Sequence, residues 1–107
     1  MKIEDLLRKI SAKPEMYLGE ATLSRFDAFL LGWMLENEDE DTERFIGGFQ
    51  KWIEHRYRIT SSHSWANIIR FYASNDVKAL ADAFRLFEEY MANTSGSAGL
   101  PVTPQKD

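Results

Sequence analysis

Apolar residues recur along this chain at the three-to-four-residue spacing of an α-helix, and five such stretches can be marked off. Ile3, Leu6, Leu7 and Ile10 predict a short amphipathic helix over residues 2–12. Lys13-Pro14-Glu15-Met16-Tyr17-Leu18-Gly19 interrupts the pattern. Proline disfavours helical backbone at the residue before it, and Gly19 suits a turn. Thr22 is placed to cap a second helix, with Leu23, Phe26, Phe29, Leu30, Trp33 and Met34 as its stripe. Gly32 inside that stripe costs about 1 kcal/mol relative to alanine, and it is read as a point where another helix comes close. Asp41 or Thr42 is expected to cap a third helix carrying Phe45, Ile46, Phe49, Trp52, Ile53 and Tyr57. Gly47-Gly48 marks a kink or a tight contact within it. After a polar turn from Arg58 to Ser64, Trp65, Ile68, Ile69 and Tyr72 form a fourth stripe. Ser74-Asn75-Asp76 is a cap-like break before Val77, Leu80, Ala81, Phe84, Phe87 and Met91.

From Asn93 onward the periodicity stops, two prolines appear, and residues 93–107 read as a flexible tail. No stretch alternates apolar and polar residues long enough to predict a sheet. The expectation is therefore an all-α fold, a compact bundle of about five helices over residues 1–92. At 107 residues the chain is one domain, a size that buries roughly two-thirds of its unfolded surface. It has no cysteine, which excludes a disulfide scaffold, thiol catalysis and cysteine-ligated metals. No apolar run approaches the roughly 20 residues needed to cross a bilayer. Acids at Glu4 and Asp5 stand where a signal peptide needs an apolar run, so the expected location is the cytoplasm.

Charge changes the picture because it is local. The chain has 17 acids and 13 bases, a net charge of −4. Glu36, Glu38, Asp39, Glu40, Asp41 and Glu43 crowd into residues 36–43 with no base among them, and setting that segment aside leaves 11 acids against 13 bases. Such a face repels phosphate, so direct nucleic-acid binding is not expected there, and a basic protein or a cation is the more natural partner. The plain alternative is a solvated acidic loop that aids solubility.

Candidate chemistry is sparse. Two histidines, His55 and His63, lack the short local spacing of a zinc site, so no metal and no cofactor is expected. Glu36, Glu38 and Glu40 alternate as in a calcium loop but without its glycine and terminal glutamate. Ser61-Ser62-His63-Ser64 sets hydroxyls beside an imidazole, yet serines commonly open helices, and Trp65 follows. Neither a phosphate-binding glycine loop nor a nucleophile elbow is present. The expected role is non-catalytic. Fourteen aromatics, 13% of the chain, belong mostly to the core stripes. Tyr17, Trp33, Trp65, Tyr72 and Tyr90 carry polar handles suited to a rim, as a partner contact or a homodimer face. Lys51, Arg56, Arg58 and Arg70 are candidates for pairing with the acidic segment of a second copy.

The order of several motifs adds a resemblance. Lys13-Pro14-Glu15-Met16-Tyr17-Leu18-Gly19 follows a short helix containing Leu-Leu-Arg-Lys-Ile. After it come the aromatic and leucine-rich stretch from Phe26 to Trp33, then Phe49-Gln50-Lys51-Trp52-Ile53-Glu54-His55-Arg56-Tyr57, Ser64-Trp65-Ala66-Asn67-Ile68-Ile69 and Phe84-Arg85-Leu86-Phe87-Glu88-Glu89-Tyr90. Together they resemble a group of small bacterial proteins with an Arg-Pro-Gly-Met-Tyr-Leu-Gly signature, although Glu15 stands here where the signature has glycine. Some of that group resemble immunity proteins of contact-dependent growth inhibition and related polymorphic toxin systems. The resemblance implies a small helical antitoxin that binds the toxic domain of a cognate effector, many of which are nucleases. It implies no catalytic residues, and a structural role for Pro14, Tyr17 and Leu18. Residues Glu36, Glu38, Asp39, Glu40, Asp41 and Glu43 are then the expected toxin-binding set. A regulatory or adaptor protein that binds another bacterial partner is the main alternative, and a small enzyme using His55 or His63 is the other.

Overall fold

Most of each apolar stripe becomes the inner face of a helix, but Tyr72, Val77 and Ala81 are exposed, and Ala79, Ala83 and Leu86, which the spacing does not single out, are buried. The structure is a computed structural model that describes residues 1–60 and 62–95. Ser61 and residues 96–107, most of the expected tail, lie outside the described residues. Among the described residues there are six helices and no strand: α1 (Ile3–Ala12), α2 (Pro14–Leu18), α3 (Leu23–Glu36), α4 (Glu40–Tyr57), α5 (Trp65–Tyr72) and α6 (Asp76–Ser95). All six are helical in the way the spacing predicts except α2, which the sequence reading treated as a break. Pro14 stands at its first position, where a fixed φ favours helix and a missing N–H costs nothing. Gly19 ends it at φ +79, a conformation L side chains rarely adopt, and donates its N–H to the Glu15 carbonyl at 2.9 Å. Leu18 is buried, and Tyr17 meets Phe29 edge-on at 6.5 Å, so this single turn docks on α3. Arg25 completes the junction by donating to the Leu18 carbonyl at 3.1 Å.

The caps explain the other boundaries. Thr22 accepts from the Arg25 N–H and Ser64 from the Asn67 N–H, each at 3.2 Å. Asn75 accepts from the Lys78 N–H at 2.8 Å. The cap of α4 is Asp39 rather than Asp41 or Thr42, since its carboxylate takes the Thr42 N–H at 2.7 Å. α6 continues through Asn93 to Ser95, past the boundary expected at residue 92. Arg58 closes α4 in the left-handed conformation, with the Ile59 N–H returning to the Glu54 carbonyl at 2.9 Å.

Aromatic rings occupy the centre. Phe49 of α4 stacks on Phe87 of α6 with centroids 3.8 Å apart. Trp65 of α5 and Tyr90 of α6 meet Phe49 edge-on, each at 5.4 Å, and Phe26 of α3 meets Phe87 at 6.1 Å. Such pairs contribute about 0.5–1.5 kcal/mol each beyond the area they bury. Of the proposed rim aromatics, Trp65 and Tyr90 belong to this core, while Tyr72 is exposed and stacks on Tyr57 at 4.8 Å. Those ring pairs show that α5 starts level with Phe49 and runs beside α4 in the same direction. The start of α5 therefore lies back beside the middle of α4, and Gln50 holds the chain there. Its carboxamide donates to the His63 carbonyl and to Glu54, both at 2.8 Å, and accepts the Trp65 N–H at 2.7 Å.

The glycines divide by what surrounds them. At Gly32 a Cβ would meet nothing within 4 Å, so the close approach expected there does not occur. At Gly48 a Cβ would overlap the Tyr90 hydroxyl, which donates to the Phe45 carbonyl at 3.1 Å. Gly48 is thus the tight contact that the Gly47-Gly48 pair predicts. Gly48→Ala should lower stability by about 1–3 kcal/mol through overpacking, against the gain of up to about 1 kcal/mol expected from helix propensity alone. In a Tyr90→Phe background the nearest ring atom is 3.5 Å away, and the same change should be neutral or stabilising. Urea unfolding of the four proteins tests this, and an equal loss in both backgrounds would refute the assignment.

Candidate partner-binding surface

The acidic stretch is fixed at both ends. Its first carboxylate, Glu36, is the last residue of α3. Asn37 then seals that helix, its N–H reaching the Met34 carbonyl at 3.2 Å and its side-chain amide the Trp33 carbonyl at 2.9 Å. Only residues 37–39 connect α3 to α4, and Asp39 is already the cap of the next helix. Glu40, Asp41 and Glu43 fill the first turn of α4, where the helix dipole favours negative charge. All six carboxylates named from the sequence are exposed, from the last residue of α3 to the first turn of α4.

Their engagements differ. Asp39 is held below the usual carboxylate range, chiefly by the backbone hydrogen bond from Thr42, with the Thr42 side chain adding to it. Arg44 pairs with Asp41 at 3.0 Å and approaches Glu40 at 3.9 Å. These contacts lie in water, where an ion pair contributes about 0–1 kcal/mol. Glu36, Glu38 and Glu43 have no ion pair or side-chain hydrogen bond among the described residues. Six carboxylates thus face one guanidinium over residues 36–44.

The fold enlarges this surface in two ways that the sequence reading did not register. First, the start of α1 lies beside the start of α4. An open groove of about 670 Å³ runs between them, lined by residues 1–5 on one side and by Asp39, Asp41 and Arg44 on the other, with Tyr90 also contributing. Glu4 and Asp5 bring two more carboxylates to the acidic side of the molecule, while Lys2 and Arg44 are the bases of the groove. Burial is the main cause that raises Tyr90's pKa above its ordinary value, and the nearby Glu4 adds to it. Second, the outward side of α3 is apolar up to the acidic stretch. Leu31 is 58% exposed and Leu35 is 75% exposed. The available signal was the unbroken run Ala28-Phe29-Leu30-Leu31-Gly32-Trp33-Met34-Leu35, which leaves no polar face on that part of the helix.

The bases proposed to pair with a second copy are in part used within the chain. Arg56 pairs with Glu89 at 2.9 Å and lies over the Trp52 ring at 5.2 Å. Arg70 bonds Asn67 and approaches Asp76 at 3.8 Å, and its charge partly offsets the burial that raises Asp27. His55 and His63 lie on the surface, apart from the acidic segment in sequence, and Ser64 serves as a helix cap. Among the described residues no group of three His, Asp or Glu side chains is placed to hold a metal ion, and no helix is long and apolar enough to cross a membrane. No protein-family model, curated protein or solved structure matches this chain.

The Asp39 cap generates a pH prediction. Its folded pKa is depressed, so its contribution is present above the ordinary value of 3.8 and is lost as pH falls through the folded value. Asp39→Ser keeps a capping oxygen without the titration, whereas Asp39→Ala keeps neither. At pH 7 Asp39→Ala should melt below the parent and Asp39→Ser close to it. Below pH 4 the parent should lose more of its melting temperature than Asp39→Ser, as followed by circular dichroism. Parallel curves would remove the cap from the acid response.

Proposed function

We propose that this protein is an immunity protein: a cytoplasmic, non-catalytic antitoxin that binds the toxic C-terminal domain of a cognate bacterial contact-dependent growth inhibition effector and neutralises it. The resemblance of its ordered motifs to that group supports the reading. The observation that carries it is the exposed set Glu36, Glu38, Asp39, Glu40, Asp41 and Glu43, running from the end of α3 into the first turn of α4, with Arg44 the one base that pairs with any of them among the described residues. A nuclease presents a basic cleft to phosphate, and a rigid cluster of carboxylates is complementary to such a cleft. The partner in this reading is a basic nuclease domain. Inhibition follows from occupancy: carboxylates occupy the phosphate subsites, and nucleic acid is excluded. The long-range attraction accelerates encounter and weakens with salt, since charges separated by more than about 8 Å are largely screened at physiological ionic strength.

The test is co-expression with the C-terminal domain of the protein encoded immediately upstream. The expected result is growth rescue and co-elution of the two proteins. A toxic upstream domain with neither rescue nor complex would overturn the reading in favour of a regulatory or adaptor role. Within a confirmed pair, changing Glu36, Glu38 and Glu43 to glutamine should leave the fold intact, because these three have no ion-pair partner among the described residues. Association measured by stopped flow at low salt should slow about tenfold or more, with the difference shrinking as salt rises. An unchanged association rate would rule out the carboxylates as the steering element.

A further inference from the structure

Ala28, Leu31, Gly32 and Leu35 stand at positions i, i+3, i+4 and i+7 of α3, and all four are exposed. That quartet is the arrangement that receives one side-chain knob from a facing helix. Here its two small members form the floor and its two leucines the walls. Nothing within 4 Å would meet a Cβ at Gly32, so the floor is open. The opposite side of the same helix, Leu23, Phe26 and Leu30, is already buried in the core. α3 is therefore apolar on both sides with one side unpartnered, and a contiguous exposed apolar face of this kind is what protein interfaces bury.

What covers it is indicated by charge. The stripe runs into Glu36 and Glu38, which have no ion-pair partner among the described residues, and then into the acidic first turn of α4. We propose that the outward face of α3 is the apolar anchor of the partner interface, and that its occupant is a helix of the partner carrying an apolar knob edged by lysine or arginine. This rests on the reading of the chain as an inhibitor of a basic protein, and it specifies that partner's contact element. The division of labour is physical: the carboxylates set the rate of encounter and the sign of the partner's charge, while the desolvated leucines set the lifetime of the complex.

Two fluorescein-labelled helical peptides provide the probe. Both carry the same leucine stripe, one edged by lysine and the other by glutamate, and binding to the full chain is read by anisotropy. The lysine-edged peptide should bind at least tenfold more tightly than the glutamate-edged one. Gly32→Leu fills the floor and Leu35→Ser removes a wall, and each should weaken the lysine-edged peptide at least tenfold. Gly32→Leu adds a good helix former in open space, so its melting temperature should match or exceed the parent's, which separates lost binding from lost fold. Equal binding of both peptides, or binding indifferent to both substitutions, would overturn the proposal. So would a sedimentation shift showing that the parent dimerises and Gly32→Leu does not, because the occupant would then be a second copy. Peptide binding without growth rescue would overturn the immunity reading and keep this docking face. Rescue that survives both substitutions would do the reverse.

Discussion

The stack of Phe49 on Phe87 is the contact on which the arrangement of the helices depends. Two rings with centroids 3.8 Å apart fix α4 against α6. Trp65, Tyr90 and Phe26 then bring α5 and α3 to the same place. The register of that pair is sharpened one residue earlier, where Gly48 leaves room for the Tyr90 hydroxyl to reach the Phe45 carbonyl. Both contacts lie at the middle of α4, so they also determine where its N-terminus points. The acidic turn, the start of α1 and the groove between them follow from the packing of largely buried rings, of which Tyr90 also lines the groove.

That separation matters for what the surface can do. The carboxylates of residues 36–43 contribute little to holding the bundle together. Asp39 caps a helix, Arg44 pairs in water, and three acids engage no cation among the described residues. Charge that does not serve the fold is free to be placed for a partner. Elsewhere, Arg56 and Arg70 are tied to Glu89 and Asp76 within the chain. Glu36, Glu38 and Glu43, unpaired among the described residues, cluster in one stretch, a local feature invisible in a net charge of −4.

The sequence was most legible where one helix face alone carried the signal. The core stripes of α1 and α4, the Thr22 cap and the all-α class could be read from spacing and from residues with one dominant role. In α6 the spacing marks a stripe partly off the true inner face: Val77 and Ala81 are exposed, and Ala79, Ala83 and Leu86 are buried. It was less legible where two explanations compete for one residue. Pro14 can break a helix or begin one, and only Lys13, bent out of helical geometry before it, decides in favour of α2. Asp39, Asp41 and Thr42 are all good caps, and the buried position of Thr42 selects Asp39. The outward leucines of α3 were hidden because the stripe facing the core accounted for the helix and absorbed the apolar run. Glu4 and Asp5 joined the acidic side through tertiary packing, which no local pattern encodes.

Gln50 carries a consequence for how the molecule opens. The first amides of a helix ordinarily have no partner in their own helix and exchange readily with solvent. Here the Trp65 N–H is held by a side chain from α4, and the same carboxamide grips the chain at His63. The start of α5 cannot fray alone, because releasing it means breaking bonds to a neighbour whose adjacent residue, Phe49, is the centre of the ring cluster. α4 and α5 therefore form one cooperative unit, whose loosening is tied to that of the core.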